Sequence, residues 1–93
     1  MEVTELNMPR ILPDNEVQYI ETIKGILSSI DPLCTLQITR KISAYNFRIA
    51  PTNSEVINNI FRDIQSFNTM LNIRVNFSKS IKSSSVIAFD IEV

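Results

Sequence analysis

Residues 51–71 read PTNSEVINNIFRDIQSFNTML and carry the strongest helical pattern in the chain. Apolar residues recur there at spacings of three and four, which places them on one face of a helix. They are Val56, Ile57, Ile60, Phe61, Ile64, Phe67 and Leu71. Thr52 and Glu55 match the capping box, in which the side chain of each accepts a hydrogen bond from the backbone N–H of the other. The sequence therefore predicts a helix over residues 53–71.

An earlier segment, residues 14–31, has the same periodicity. Its apolar stripe consists of Val17, Ile20, Ile23, Leu27 and Ile30, widened by Tyr19 and Ile26. Either Asp14 or Asn15 is expected to cap the start of this helix with its side chain. Asp31 precedes Pro32, and proline disfavours helical backbone in the residue before it, so the helix is expected to end there.

Each predicted helix is followed by two segments in which apolar and polar residues alternate, the pattern of a half-buried strand. The four segments are residues 34–39, 44–49, 73–78 and 86–93. Residues 2–8 form a fifth candidate, although Val3, Leu6 and Met8 do not alternate cleanly. The chain therefore contains the order helix–strand–strand twice, beginning at Pro13 and again at Pro51.

This order predicts an α+β fold of two layers, with a four- to five-stranded antiparallel sheet and both helices on one face. We expect a single domain that consists of an N-terminal arm or short strand (1–12), a first αββ unit (13–50) and a second αββ unit (51–93). The two units suggest a pseudo-two-fold repeat. With the N-terminal strand, the order (β)αββαββ resembles the ferredoxin-like fold with an extra strand.

The composition indicates a small globular protein. The chain has 93 residues, 44% of them hydrophobic and 20% charged, and a net charge of −1, which is typical of a small globular domain with a thin core. It has no apolar run of about 18 residues, so no membrane span is expected. The acidic start of the chain does not match a signal peptide. We therefore expect a small soluble protein inside the cell, in the cytoplasm or nucleus.

Several kinds of chemistry are not expected from this sequence. The chain has no histidine, one cysteine and one glycine, so it lacks the usual general base, the usual metal ligands and a glycine-rich phosphate loop. Cys34 alternates with polar residues like its neighbour Leu36, so we expect it in the core. We predict no enzymatic activity, no cofactor and no metal site. The abundance of isoleucine and asparagine is a bias that an AT-rich genome, viral or cellular, produces.

Basic residues concentrate in the two predicted hairpins, whereas residues 1–31 carry six acidic and two basic residues. The hairpin residues are Arg40, Lys41, Arg48, Arg74, Lys79 and Lys82. One interpretation is a surface for an anionic partner, either nucleic acid or an acidic protein. The other is a set of solvated turns, with Asp90 and Glu92 paired to a neighbouring arginine across the sheet.

The segments 43–49 and 73–77, with a helix between them, resemble the latter half of an RNA-recognition motif. That resemblance implies that Tyr45 and Phe47 lie on the open sheet face and stack on bases. The alternation of the strand favours the opposite orientation, because turning both rings outward places Asn46 and Arg48 in the core. We therefore expect Tyr45 and Phe47 to be core residues.

The last predicted strand runs to the end of the sequence, so we expect it at the edge of the sheet, where backbone groups are free to bind another strand. The candidate interface residues are Val86, Ala88, Asp90 and Glu92. Strand addition there produces a dimer or captures an extended peptide. The sequence thus favours a non-enzymatic interaction module (adaptor, assembly subunit or inhibitor) that acts through its sheet edge or polar sheet face. Its partner would be another protein or a second copy; nucleic-acid binding through the basic hairpins is the alternative.

Overall fold

The computed structural model describes residues 1–71, 75–77 and 86–93. Its helices are α1 (Asp14–Ile30) and α2 (Ile57–Leu71), with a 3-10 turn at Ser54–Val56 directly before α2. Its strands are β1 (Glu2–Leu6), β2 (Thr35–Arg40), β3 (Ala44–Ala50), β4 (Val75–Phe77) and β5 (Ile87–Glu92). The predicted α+β class and the order of helices and strands are confirmed.

The described strands form one sheet of five, in the order β1-β2-β3-β5-β4. Three of its pairings are antiparallel, but β1 runs parallel to β2, so the sheet is mixed rather than antiparallel throughout. The reason is the connection between them: α1 carries the chain back along the sheet, and a helical crossover of this kind joins parallel strands.

The two hairpins, β2–β3 and β4–β5, meet through their second strands. Phe47 of β3 is directly opposite Phe89 of β5, and their rings stack with centroids 5.1 Å apart and planes inclined by 13°. Phe47 is paired on its other side with Ile38, and Phe89 with Phe77. The two hairpins therefore meet at this pair of rings, which is compatible with the predicted order of two αββ units.

Both helices pack on the same face of the sheet, and one hydrophobic cluster joins the two layers. The helices contribute Ile20, Ile23, Leu27, Ile60, Ile64 and Phe67. Cys34 and the sheet contribute the remainder: Leu36, Ile38, Tyr45, Phe47, Ile49, Ile87, Phe89 and Ile91. The expectation that Cys34, Tyr45 and Phe47 are core residues is confirmed. Val17, predicted to lie in the apolar stripe of α1, is instead 39% exposed in the first turn of that helix.

The start of α1 differs from the prediction. Pro13 is the N-cap residue, no side chain caps the helix, and the carbonyl of Pro13 accepts from the N–H groups of Glu16 and Val17. Asp14 and Asn15 already lie inside the first turn, so neither occupies the N-cap position, from which a side chain accepts from the free N–H groups that follow it. Asp14 and Glu16 still place negative charge at the positive end of the helix dipole.

The predicted capping box at Thr52 is also wrong. Asn53 is the N-cap of the 3-10 turn, and its side chain accepts from the N–H of Glu55 at 2.8 Å. Thr52 instead donates its backbone N–H and its hydroxyl to the two carboxylate oxygens of Asp31, at 2.7 and 2.8 Å. Asp31 ends α1 and is only 5% exposed, so this contact joins the end of the first helix to the approach to the second.

The position of the last strand contradicts the edge prediction. β5 lies between β3 and β4 and is paired on both sides, so its backbone is not free to accept another strand. The second hairpin joins the sheet by its second strand, which leaves β4 outside. Among the described strands the edges are therefore β1 and β4.

The contact between Asp31 and Thr52 leads to a testable expectation. Replacing Thr52 by valine is expected to lower the free energy of unfolding by about 1 kcal/mol, because the buried carboxylate loses a hydroxyl donor. Urea denaturation measures the change. Thr35→Val is the control, since Thr35 is exposed in β2 and a comparable surface substitution changes stability by no more than about 0.5 kcal/mol.

A double-mutant cycle with Asp31→Ala separates this contact from a general effect of either substitution. The loss in the double variant is expected to be smaller than the sum of the single losses. Strictly additive losses would show that the two side chains do not act together.

Candidate binding edge and open sheet face

β1 forms one edge of the sheet, and the direction of its backbone groups follows from its pairing with β2. The N–H of Glu2 donates to the carbonyl of Cys34 at 3.4 Å, so the backbone of Glu2 faces β2. Backbone groups of successive strand residues point in alternate directions. The N–H and C=O groups of Val3 and Glu5 therefore point away from the sheet, and no described strand pairs with them.

The side chains of β1 alternate between the two faces of the sheet. Val3 is opposite Leu36 and packs against the core, so Val3 and Glu5 lie on the helix side. Glu2, Thr4 and Leu6 lie on the other side. All of these residues except Val3 are exposed, so a strand that approaches this edge meets accessible side chains on both faces.

Acidic groups dominate the surroundings of this edge. The carboxylate of Glu5, 46% exposed, lies 3.7 Å from the ammonium of Lys24 on α1, and the same ammonium lies 3.8 Å from Glu21. Glu2 adds a further exposed carboxylate at the start of β1. On β1 and the adjoining part of α1, these three carboxylates therefore outnumber the one ammonium.

The face of the sheet opposite the helices is polar; we call it the open face. It presents Glu2, Thr4, Leu6, Thr35, Gln37, Thr39, Ala44, Asn46, Arg48, Ala50, Ala88, Asp90 and Glu92. A shallow depression of about 370 Å³ adjoins the β1 edge and is lined by Glu2, Thr4, Thr35, Leu36, Gln37, Arg48, Ala50 and Val86. Arg48 is exposed there, and none of the ion pairs described includes it.

The described basic candidates do not form one surface. Arg40 donates to the carbonyls of Lys41 and Ala44, at 2.6 and 3.2 Å, and its guanidinium lies 4.8 Å from the ring centroid of Tyr45 on the helix side. Arg48 lies on the open face. Lys41 forms an ion pair with Asp90 at 3.5 Å. The other three candidates, Arg74, Lys79 and Lys82, lie outside the described residues.

Three of the four residues predicted for an edge interface, Ala88, Asp90 and Glu92, lie instead on the open face. Asp90 binds Lys41 and accepts from the amide of Asn46 at 2.8 Å, so its described partners are a lysine and an asparagine rather than the predicted arginine. Val86 is half-buried just before β5 and lines the depression. The structure therefore brings these side chains together with Arg48 on one face without giving that face a positive charge.

Sequence reasoning missed one polar cluster at the start of α1. The hydroxyl of Tyr45 donates to Glu16 at 2.6 Å. Burial, and next the hydrogen bond to Glu16, raise the pKa of Tyr45 to about 12. No local pattern marks the pair, because the two residues are 29 positions apart and an acidic residue in the first helical turn is common.

The one cysteine is not exposed to reagents. Cys34 is fully buried, and burial, followed by the nearby charge of Asp31, raises the pKa of its thiol. Among the described residues no three histidine, cysteine or acidic side chains are grouped closely enough to hold a metal ion. Neither described helix has the length and apolar character needed to cross a membrane.

Comparison with protein-family models found no match to the chain, and a search of curated proteins found none either.

Removal of the Tyr45 hydroxyl is expected to reduce stability in a pH-dependent way. At neutral pH, Tyr45→Phe should lower the free energy of unfolding by about 1 kcal/mol, because the hydrogen bond to Glu16 is lost. The folded state raises the pKa of Tyr45 from 10 to about 12. This contribution to stability is complete below pH 10 and is lost as the pH rises towards 12.

Urea denaturation of both proteins below pH 10 and near pH 12 checks this expectation. The variant should lose less stability than the wild type over that interval, and Tyr19→Phe serves as the control for removal of a tyrosine hydroxyl elsewhere. If Tyr45→Phe and the wild type lose the same free energy of unfolding between these pH values, the contribution of the Tyr45 hydroxyl is contradicted.

Proposed function

We propose that the chain is an intracellular, non-enzymatic protein–protein interaction module that binds an extended segment of another protein by strand addition along β1. The observation that carries the proposal is the outward direction of the Val3 and Glu5 backbone groups, which no described strand occupies. An added strand satisfies such groups with main-chain hydrogen bonds and extends the sheet.

The number of outward-facing backbone groups on β1 limits the affinity that main-chain hydrogen bonds alone can provide. The two outward-facing residues of β1 offer two N–H donors and two C=O acceptors, and each net hydrogen bond contributes about 1 kcal/mol. Four bonds correspond to a dissociation constant of about 1 mM before ordering of the peptide is counted. Side chains must therefore supply the remaining affinity and the specificity, and β1 exposes them on both faces.

One comparison favours β1 over the open face. The described residues of the open face are mostly polar and include none of the large aromatic side chains that dominate binding energy at protein interfaces, whereas β1 also offers outward-facing backbone groups. We propose the depression beside β1 as additional contact area for side chains of the bound segment.

Two of the described side chains that could act as nucleophiles are held in the folded structure. Cys34 is fully buried with its thiol pKa raised, and the buried hydroxyl of Tyr45 is held neutral in its bond to Glu16. Neither group is poised to react with a substrate.

Selection of peptides from a display library of random linear sequences tests strand addition. Peptides selected on the wild type are expected to lose binding to Glu5→Pro, because proline removes the outward N–H and its ring obstructs the approaching strand. Glu5→Gln keeps the backbone donor and removes only the charge, so it should weaken binding less than Glu5→Pro does. Fluorescence anisotropy with the selected peptides measures both affinities.

The fold of the variants is checked by urea denaturation. Glu5→Pro is expected to keep its stability to within about 1 kcal/mol, since edge positions tolerate proline. Thr4→Pro should destabilise more, because the N–H of Thr4 faces β2. Undiminished binding to a folded Glu5→Pro variant, or a library that yields no binder, would contradict strand addition at β1.

A further inference from the structure

We infer that the segment bound along β1 is basic, with two lysine or arginine residues three positions apart, one opposite Glu2 and the other opposite Glu5. This inference rests on the proposed function and names the chemistry of its partner. Glu2 is the first residue of β1 and its carboxylate lies on the open face, whereas Glu5 is the fourth residue and its carboxylate lies on the helix side.

The spacing follows from the register of an added strand. Cross-strand neighbours lie directly opposite one another, so residues opposite Glu2 and Glu5 are three apart whichever direction the segment runs. Because three is an odd number, one basic side chain points to the open face and the other to the helix side. The residue opposite Val3 also lies on the helix side, where an apolar side chain extends the core contact of Val3.

The described ion pairs neutralise the carboxylates near this edge only in part. Lys24 is shared between Glu5 and Glu21, at 3.7 and 3.8 Å, and no ion pair is described for Glu2. A basic residue opposite Glu2 thus meets an exposed carboxylate without an ionic partner among the described residues. Opposite charges across a strand pair stabilise it, whereas like charges destabilise it.

A second copy of the chain fits this edge less well than a basic segment. If two β1 strands pair antiparallel about Thr4, Glu5 of one copy lies diagonal to Glu5 of the other, about 7–8 Å away. Both edges also carry the same sign of charge. Charged side chains on an exposed edge oppose self-association, and the acidic ones on β1 favour a partner of opposite charge.

Three matched synthetic peptides test the inference. Each carries the core Leu-X-Thr-Val-X, in which both X positions are lysine, glutamine or glutamate, and a fluorescent label for anisotropy measurements. The lysine peptide is expected to bind about tenfold more tightly than the glutamine peptide, and the glutamate peptide most weakly. The preference should shrink as salt is added, because the charges are exposed.

The variant Glu2→Lys should reduce or abolish the preference for the lysine peptide. Glu55→Lys is the matched control, because Glu55 is an exposed acid on the turn before α2 and the change in net charge is the same. Glu55→Lys should leave the order of affinities unchanged. Urea denaturation confirms that both variants are folded.

The remaining outcomes distinguish this inference from the proposal on which it rests. Equal affinity for the three peptides, with binding still lost in Glu5→Pro, would overturn the basic partner and leave strand addition in place. Binding that survives in Glu5→Pro, or no binding by any of the peptides, would overturn both. Sedimentation that shows a dimer of the wild type but a monomer of Glu5→Pro would assign the edge to a second copy.

Discussion

The antiparallel pairing of β3 with β5 is the constraint on which the rest of the structure depends. Phe47 of β3 stacks on Phe89 of β5, so the second strand of each hairpin lies in the interior of the sheet. The first strands, β2 and β4, therefore lie on the outer sides of this pair, and β1 lies next to β2. The availability of β1 as an edge is therefore a consequence of how the two halves of the chain meet.

Contacts that stabilise the fold and surfaces available for binding lie in different places. Asp31 with Thr52 at one end of α1, and Glu16 with Tyr45 near its other end, tie the helix layer to the sheet or to the approach to α2. Neither contact uses the outer side of β1. Charge changes on that edge can therefore be tested without removing these stabilising bonds.

Features that depend on residues close together in the sequence could be predicted, whereas features that depend on residues far apart could not. Periodicity located both helices and the strands, because a half-buried element repeats its apolar residues locally. No local pattern indicates the parallel direction of β1 or the hydrogen bonds between Asp31 and Thr52, because both depend on residues far apart in the chain. The sequence places the last strand at the edge for the same reason, because the order of strands depends on long-range pairing. The candidate binding residues of β1 are recognisable only once that order is known.

Amide hydrogen exchange, resolved by residue, tests the account most directly. In the free chain the amides of β3 and β5 are predicted to exchange slowest, while within β1 those of Val3 and Glu5 exchange rapidly and that of Thr4 is protected by its bond to β2. Rapid exchange throughout β5, or strong protection of the Val3 and Glu5 amides, would contradict the central pairing and the open edge that follows from it.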